Sequence, residues 1–138
     1  MHAMLTAVLD GAADPEIVGV EVVARAALEA SSVDVLAADG YVLGTPANIG
    51  YMSGALKHFF DQIYYPCLES TQGRPYSLYV HGNDDTAGAE QSVQVVARGL
   101  RWRLAQPPLS VVAAPDRGDI EACKELGATA AALLELDS

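Results

Sequence analysis

The chain has 138 residues, 51% of them hydrophobic and 19% charged, and its formal net charge is −10. A chain of this length can bury one full hydrophobic core, so we expect a single domain over residues 1–138. The excess of carboxylates and the lack of a basic stripe argue against nucleic-acid binding, because nothing would neutralise the phosphates.

The sequence shows neither a membrane span nor a metal-binding pattern. No stretch approaches the roughly 18 consecutive apolar residues that a spanning helix needs, and the first residues lack the layout of a signal peptide. We therefore expect a cytoplasmic protein. Cys67 and Cys123 are far apart and form no C-x-x-C or metal-ligand spacing, so we expect reduced structural thiols and no metal site.

The first third of the chain predicts a helix, a strand and a second helix. Apolar residues at helical spacing indicate a helix over residues 2–13, and Gly11 with the following Asp-Pro pair marks its exit. Residues 19–24 (GVEVVA) read as a buried strand led by Val20, Val22 and Val23. A serine at position 31 or 32 can cap a short helix that ends at residue 38.

A strand, a loop and a helix follow. Residues 40–44 are a short apolar run that ends at Thr45-Pro46, because proline cannot continue a central ladder. The loop reaches Tyr51, and a helix then begins with Ser53 in its first turn and ends at Tyr64-Tyr65-Pro66. Open α/β sheets bind ligands in such loops, at the carboxyl ends of parallel strands.

The second half of the chain continues the alternation. A polar turn at residues 71–75 precedes a strand over 76–82, a polar loop over 83–88 and a helix ending near residue 100. A last strand over 109–113 and a final helix over 120–134 follow the break at 106–108. Strands that alternate with helices through short connections predict a doubly wound parallel sheet in three α/β/α layers.

Residues 40–61 resemble the flavodoxin-like family, in the branch of the NADPH-dependent FMN reductases and flavodoxin-type quinone reductases. That branch follows an apolar strand with G-[ST]-P, a loop containing glycine, and a helix carrying S-x-x-x-K-x-F-x-D. The matching residues here are Gly44, Thr45, Pro46, Gly50, Ser53, Lys57, Phe59 and Asp61. The resemblance implies a flavodoxin-like fold, FMN as cofactor and NAD(P)H as cosubstrate.

The start of the chain departs from that family. Flavodoxin-like chains open with a hydrophobic strand and an S-x-T-G-x-T turn that binds the FMN phosphate, whereas residues 1–5 here correspond to the point just after that turn. The resemblance thus implies an N-terminally truncated fold whose missing first strand leaves unpaired edges in the sheet. A start codon placed too far downstream or a cloned fragment would explain this, and so would a trimmed domain that is completed by a partner or is non-functional.

The missing turn bears on cofactor affinity. Losing three or more charge-assisted hydrogen bonds costs on the order of 5 kcal/mol, which is over about three decades in affinity. We therefore expect this chain to bind FMN weakly or not at all.

The resemblance places the flavin ring beside two loops. The first would give backbone hydrogen bonds to the polar edge of the ring, and its residues are Thr45, Pro46, Ala47, Asn48, Ile49 and Gly50. The second would border the pyrimidine side, with the candidate residues His81, Gly82, Asn83, Thr86 and Gly88. No catalytic residue is assigned. His81 is a candidate hydrogen-bond or proton donor to a quinone, and a satisfied histidine at the sheet rim is an equal alternative.

Three functions are compatible with the sequence. The first is an FMN-dependent NAD(P)H oxidoreductase that acts on a small acceptor such as a quinone. The second is a flavodoxin-type electron carrier, whose acidic surface would dock a basic redox partner protein. The third is a truncated or partner-completed fold without redox activity. The acceptor, the choice between NADH and NADPH, and the oligomeric state, a homo-oligomer included, stay open.

Overall fold

The structure, a computed structural model, describes residues 1–137. Within them, no helix is long and apolar enough to cross a bilayer. The helices and strands in chain order are α1 (His2–Ala12), α2 (Ser32–Ala37), β1 (Tyr41–Pro46), α3 (Gly54–Leu68), β2 (Pro75–Gly82), α4 (Ala87–Gly99), β3 (Arg103–Leu104), β4 (Leu109–Val112) and α5 (Arg117–Asp137).

The sheet is built around β2. On one side residues 76–81 of β2 pair with all six residues of β1, and on the other side β2 pairs first with β3 and then with β4. Every pairing is parallel, so the carboxyl ends of the strands meet at one edge, with Pro46 beside His81 and His81 beside Val111. Residues 76–80 of β2 are all buried, as expected for a strand covered on both faces. The predicted doubly wound parallel sheet is confirmed.

Two apolar clusters cover the two faces of the sheet. Leu78 and Val80 of β2 point into the cluster formed with α3 and α4, whereas Tyr79 points into the cluster formed with α1 and α5. This alternation follows from the two-residue period of a strand. The three α/β/α layers are therefore as predicted.

Helices α1 and α5 cross at two glycines. A Cβ atom on Gly11 would lie 1.8 Å from the carbonyl oxygen of Lys124, and one on Gly127 would lie 2.0 Å from that of Val8. Helix α1 ends at Ala12, one residue after Gly11, as predicted, and Gly11 is also a contact with α5. The absence of a side chain lets the two backbones approach each other.

Residues 19–24 do not form the predicted buried strand. They pair with no strand, and Val22 and Val23 are 40% and 55% exposed. A strand needs a neighbour for its backbone groups, and the part of the chain described by the structure places no strand on the side of β1 that faces away from β2. The prediction of a strand here, which rested on apolar content alone, is therefore wrong. The predicted absence of an upstream strand and phosphate turn stays a prediction.

Helix α2 is held at both ends. The backbone N–H of Ser31 donates to the Asp34 carboxylate (3.0 Å), which confirms the predicted N-terminal cap. At the other end, Nη1 of Arg74 donates to three carbonyl oxygens, those of Val35 (3.1 Å), Leu36 (3.0 Å) and Ala38 (2.8 Å). A cation there satisfies carbonyl groups that have no partner within the helix and complements the helix dipole.

Helix α3 continues past the proline that was predicted to end it. Pro66 lies inside the helix, which runs to Leu68. The loss of one intrahelical hydrogen bond is offset by tertiary contacts at that end, where the Thr71 hydroxyl donates to the Cys67 carbonyl (2.8 Å) and accepts from Nε1 of Trp102 (2.8 Å). Packing thus overrides the local preference of proline.

Candidate functional site

The candidate site lies at the edge of the sheet where the parallel strands end. Three loops leave the strands there, formed by residues 46–53 after β1, 82–86 after β2 and 113–116 after β4. We call these three loops together the rim. Ligands of open α/β sheets bind at this edge, beyond the carboxyl ends of the strands.

The first two loops of the rim are in direct contact. The backbone N–H of Ala47 donates to the carbonyl oxygen of His81 (2.8 Å). A Cβ atom on Gly82 would lie 3.2 Å from the Cβ of Ala47, and one on Gly88 would lie 2.2 Å from the carbonyl oxygen of Gly50. Gly88 lies in the first turn of α4, directly after the second loop, so any side chain there would push α4 and the first loop apart. The structure therefore brings the two predicted groups of site residues together.

A tight turn projects from the first loop. Asn48 and Tyr51 exchange backbone hydrogen bonds of 2.8 and 3.0 Å, and the two residues between them, Ile49 and Gly50, have φ angles of 48° and 73°. Positive φ at both central positions is the geometry of a type I′ turn. Isoleucine rarely adopts it, because its branched side chain crowds the backbone.

The turn exposes an apolar surface. Ile49 is fully exposed and Tyr51 is 42% exposed. A Cβ atom on Gly50 would meet no atom within 4 Å, so this side of the turn is open. The turn thus combines a positive φ at a β-branched residue with an exposed side chain at the same position.

Two of the predicted site residues have buried side chains. The Thr45 hydroxyl accepts from the backbone N–H of Ser53 (2.9 Å) and donates to the carbonyl oxygen of Pro46 (2.8 Å). Thr86 is 7% exposed at the start of α4. Their side chains shape the loops, which leaves the exposed Asn48, Ile49, Gly50 and Asn83 as the accessible members of the set.

Sequence reasoning missed one residue that positions the first loop. The hydroxyl of Ser92 in α4 accepts from the backbone N–H of Met52 (3.1 Å) and donates to the carbonyl oxygen of Ala89 (2.8 Å). This pair of bonds fixes the end of the loop to α4. A serine within a helix carries no local signal of that contact, because its partner lies 40 residues away in sequence.

The third loop of the rim was also missed, and it binds His81. Nε2 of His81 lies 2.7 Å from the carbonyl oxygen of Ala113, whose own N–H donates to the carbonyl oxygen of Gly82 (2.7 Å). A carbonyl only accepts, so Nε2 carries the hydrogen and Nδ1 is the nitrogen left for another partner. The interpretation of His81 as a histidine at the sheet rim with its hydrogen bonds satisfied is therefore correct for Nε2 only.

The rim is acidic. Asp84 and Asp85 lie on the second loop, Asp116 ends the third, and Asp119 follows in the first turn of α5, whereas Arg117 is the one cation in these segments. Asp85 accepts from the backbone N–H of Ala87 (2.9 Å), which agrees with its interpretation as a turn residue. The region that the structure describes contains no cluster of three or more metal-ligating side chains.

The helix motif that suggested the resemblance has structural roles here. The Ser53 hydroxyl accepts from the backbone N–H of Leu56 (3.1 Å) and so caps α3. Lys57 and Asp61 form an exposed ion pair (2.6 Å), and Phe59 is buried in the core. Of these residues only Ser53 lies in the rim, at the end of the first loop, and the other three lie within α3.

The two cysteines lie away from the rim. Both side chains are buried, and burial raises the pKa of the Cys67 and Cys123 thiols. A thiol whose pKa is raised is a poor nucleophile at neutral pH. This geometry agrees with the prediction of structural thiols.

Comparisons with known proteins give structural matches. No protein-family model and no curated protein matches the chain. Among solved structures, a flavodoxin from the domain Archaea superposes with a TM-score of 0.82 at 18% identity, covering 98% of this chain and 90% of its own. A flavodoxin, WrbA-like protein from Agrobacterium tumefaciens gives 0.77 at 20% identity, covering 99% and 90%. The flavodiiron protein from Giardia intestinalis gives 0.80 at 14% identity, and this chain spans 34% of it.

These matches and the parallel strand pairings agree on the architecture. The chain therefore has the flavodoxin-like fold, with its three carboxyl-end loops gathered into one rim.

Proposed function

We propose that the chain is a flavin-binding redox protein that passes electrons from NAD(P)H through FMN to a small acceptor such as a quinone. The observation that carries this proposal is the contact between the two loops at the rim, which joins the Ile49-Gly50 turn to the end of β2. The matched flavodoxins share the fold and support the choice of a flavin.

The rim suits the isoalloxazine ring. The exposed Ile49 and Tyr51 offer apolar surface for a flat aromatic face. The backbone N–H groups of Ile49 and Gly50 lie at the turned end of the loop and donate to no group in residues 1–137. Such donors stabilise the negative charge that develops on the polar edge of the ring during reduction.

The rim suits the FMN phosphate poorly. Its loops carry the carboxylates of Asp84, Asp85 and Asp116 and no hydroxyl-rich turn, and the Thr86 side chain is buried. Like charges repel a phosphate, and no cluster of cations in these loops offsets them. We therefore keep the prediction that FMN binds weakly to this chain.

The chemistry divides between cofactor and chain. When bound, FMN would supply hydride acceptance and single-electron donation. The Ile49-Gly50 turn would exclude water from one face. Nε2 of His81 donates to the Ala113 carbonyl, so Nδ1 of the neutral ring would accept a hydrogen bond from an N–H or O–H group bound at the rim, such as the hydroxyl of a reduced quinone. A positioned acceptor of this kind orients the bound group, and the protons that a quinone takes up on reduction would come from solvent.

An electron carrier is the second candidate, and the acidity of the rim favours it. Four carboxylates around the site would attract a basic partner protein and speed its encounter. They would also repel the phosphates of NAD(P)H. A fold without redox activity is the outcome if neither behaviour is observed.

The test is nucleotide oxidation with FMN in excess and a water-soluble benzoquinone as acceptor. We expect turnover above the rate of free FMN, a loss of roughly tenfold in Ile49→Asp, and no change in the matched Val95→Asp, because Val95 is an exposed valine on α4. Lack of turnover, together with reduction of cytochrome c that slows at high salt, would favour the carrier. Absence of both activities would leave no redox role.

A further inference from the structure

A hollow lies at the opposite edge of the sheet from the rim, between α4 and the start of β2. Its volume is about 230 Å³, and its lining residues are Tyr76, Gln94, Arg98, Trp102 and Leu104. Gln94 and Arg98 are four residues apart and so share one face of α4. Tyr76 and Leu104 are paired neighbours in β2 and β3. Side chains from the amino ends of β2 and from β3 therefore meet those of α4 here.

The hydroxyl of Tyr76 has no partner in the described part of the chain. Tyr76 is only 3% exposed, and its oxygen takes part in no hydrogen bond within residues 1–137. Every polar side-chain atom that is fully buried in those residues does have a partner. The phenol oxygen is therefore not sealed in the core, and it opens onto the hollow that its residue lines. A hydroxyl in this position can donate to a bound group.

The hollow also contains an unpaired cation. The Arg98 guanidinium forms no ion pair or hydrogen bond within residues 1–137, and the side-chain amide of Gln94 forms no hydrogen bond there. Burial raises the pKa of Tyr76, and the nearby Arg98 guanidinium opposes this rise. Guanidinium and amide N–H groups are donors, and no carboxylate lines the hollow. The polar groups here therefore suit an anion.

The local charge also favours an anion. Residues 91–115 contain three arginines, Arg98, Arg101 and Arg103, and no aspartate or glutamate, whereas the whole chain has a net charge of −10. Repulsion from distant carboxylates is largely screened beyond about 8 Å at physiological salt. The three arginines therefore attract small anions to this end of an otherwise acidic molecule.

The rest of the lining is apolar and aromatic. The ring of Trp102 stacks on Tyr41 at a centroid distance of 4.3 Å, and its Nε1 donates to Thr71 (2.8 Å), so the indole is held in place. Trp102, Tyr76 and Leu104 offer apolar surface to a flat ring. A closed apolar cavity of about 150 Å³ is large enough to bind benzene. The hollow therefore has room for one ring and a carboxylate group.

We propose that the hollow is a binding site for a small aromatic carboxylate. The Arg98 guanidinium binds the two carboxylate oxygens side by side, because its planar set of N–H groups matches that geometry. The Tyr76 hydroxyl and the Gln94 amide donate to the same oxygens, and the ring of the ligand packs against Trp102. The site does not depend on flavin binding, because it lies at the far edge of the sheet and is too small for three fused rings.

The test follows the fluorescence of Trp102, the one tryptophan of the chain, while benzoate is added to the whole protein. We expect a saturable change with a dissociation constant of about 1 mM or below. Benzyl alcohol has the same ring without the charge, and inorganic phosphate has a charge without the ring. Both should bind at least about tenfold more weakly than benzoate. Amide shifts of the ¹⁵N-labelled chain should be largest at Gln94, Arg98 and Trp102.

Two variants separate binding from stability. Tyr76→Phe removes a hydroxyl that bonds to nothing in residues 1–137, so the free energy of unfolding should stay the same while benzoate binding weakens about tenfold. Arg98→Met should weaken benzoate binding by about tenfold or more. The matched control is Arg103→Met, which removes an exposed cation outside the hollow and should change binding by less than about twofold.

Three results would each overturn the proposal. The first is the lack of a saturable change up to about 20 mM benzoate. The second is benzoate binding that Tyr76→Phe or Arg98→Met leaves unchanged. The third is binding of phosphate or benzyl alcohol that is as tight as that of benzoate.

Discussion

Gly88, in the first turn of α4, provides the sharpest test of the contact between the first loop and the segment that follows β2. In Gly88→Ala the new Cβ would lie 2.2 Å from the carbonyl oxygen of Gly50. Carbon and oxygen atoms normally stay more than about 3 Å apart, so α4 and the Ile49-Gly50 turn must separate by about 1 Å. Overpacking of this kind costs about 1–3 kcal/mol. The better helix propensity of alanine returns up to about 1 kcal/mol.

We therefore expect Gly88→Ala to lower the free energy of unfolding by about 1–2 kcal/mol. Gly54→Ala is the matched control, because Gly54 also lies in the first turn of a helix and a Cβ there meets nothing within 4 Å. The control should be unchanged or slightly more stable. Urea unfolding followed by circular dichroism measures both variants, and amide spectra report the position of Gly50.

The same change should weaken binding of riboflavin, which tests the ring without the phosphate. If Gly88→Ala matches Gly54→Ala in stability and leaves the Gly50 amide resonance in place, the two loops do not depend on each other. The reasoning about a joined rim would then be refuted.

Three further predictions concern Arg74, Tyr79 and the two cysteines. Arg74→Met should lower the free energy of unfolding by about 2 kcal/mol, because three carbonyls lose a charged donor, whereas the exposed Arg103→Met should change it by less than about 0.5 kcal/mol in the same urea titration. Burial raises the pKa of Tyr79 from its ordinary value of 10 to about 12, so the folded chain keeps a proton that the unfolded chain loses. The free energy of unfolding therefore has its full value below pH 10 and falls by roughly 2–3 kcal/mol as the pH rises to about 12. Tyr79→Phe should flatten that decline in urea titrations at successive pH values. Thiol titration with a chromogenic disulfide at pH 7.5 should detect Cys67 and Cys123 only after denaturant is added, and rapid reaction in the native chain would contradict their burial.

Much of the sheet was predictable from sequence because its strands are uniformly apolar and bounded by turn residues. The pattern located β1 and β2 and, through the parallel direction, the edge at which their loops meet. It failed for residues 19–24, where an equally apolar run finds no strand to pair with. Strand formation depends on a neighbour, and the sequence of a segment does not state whether that neighbour is present.

The site was predictable in its loops but not in its internal bonds. The turns at the strand ends were predictable from Pro46, Gly50 and Gly82, because the backbone preferences of proline and glycine act locally. The bonds that fix those turns join residues distant in sequence, as with Ser92 and the backbone of Met52. The partner of His81 is the backbone carbonyl of Ala113. Every residue type has such a carbonyl, so the sequence does not indicate this contact.

The central claim is that a flat aromatic cofactor lies against the joined loops of the rim. Titration of the ¹⁵N-labelled chain with FMN, up to millimolar concentration, tests it most directly through the backbone amide shifts. The account predicts the largest shifts at Ile49, Gly50 and Asn83, with a similar pattern for riboflavin. Shifts that leave those three amides unmoved, or that cluster on the opposite edge around Arg101, would contradict it.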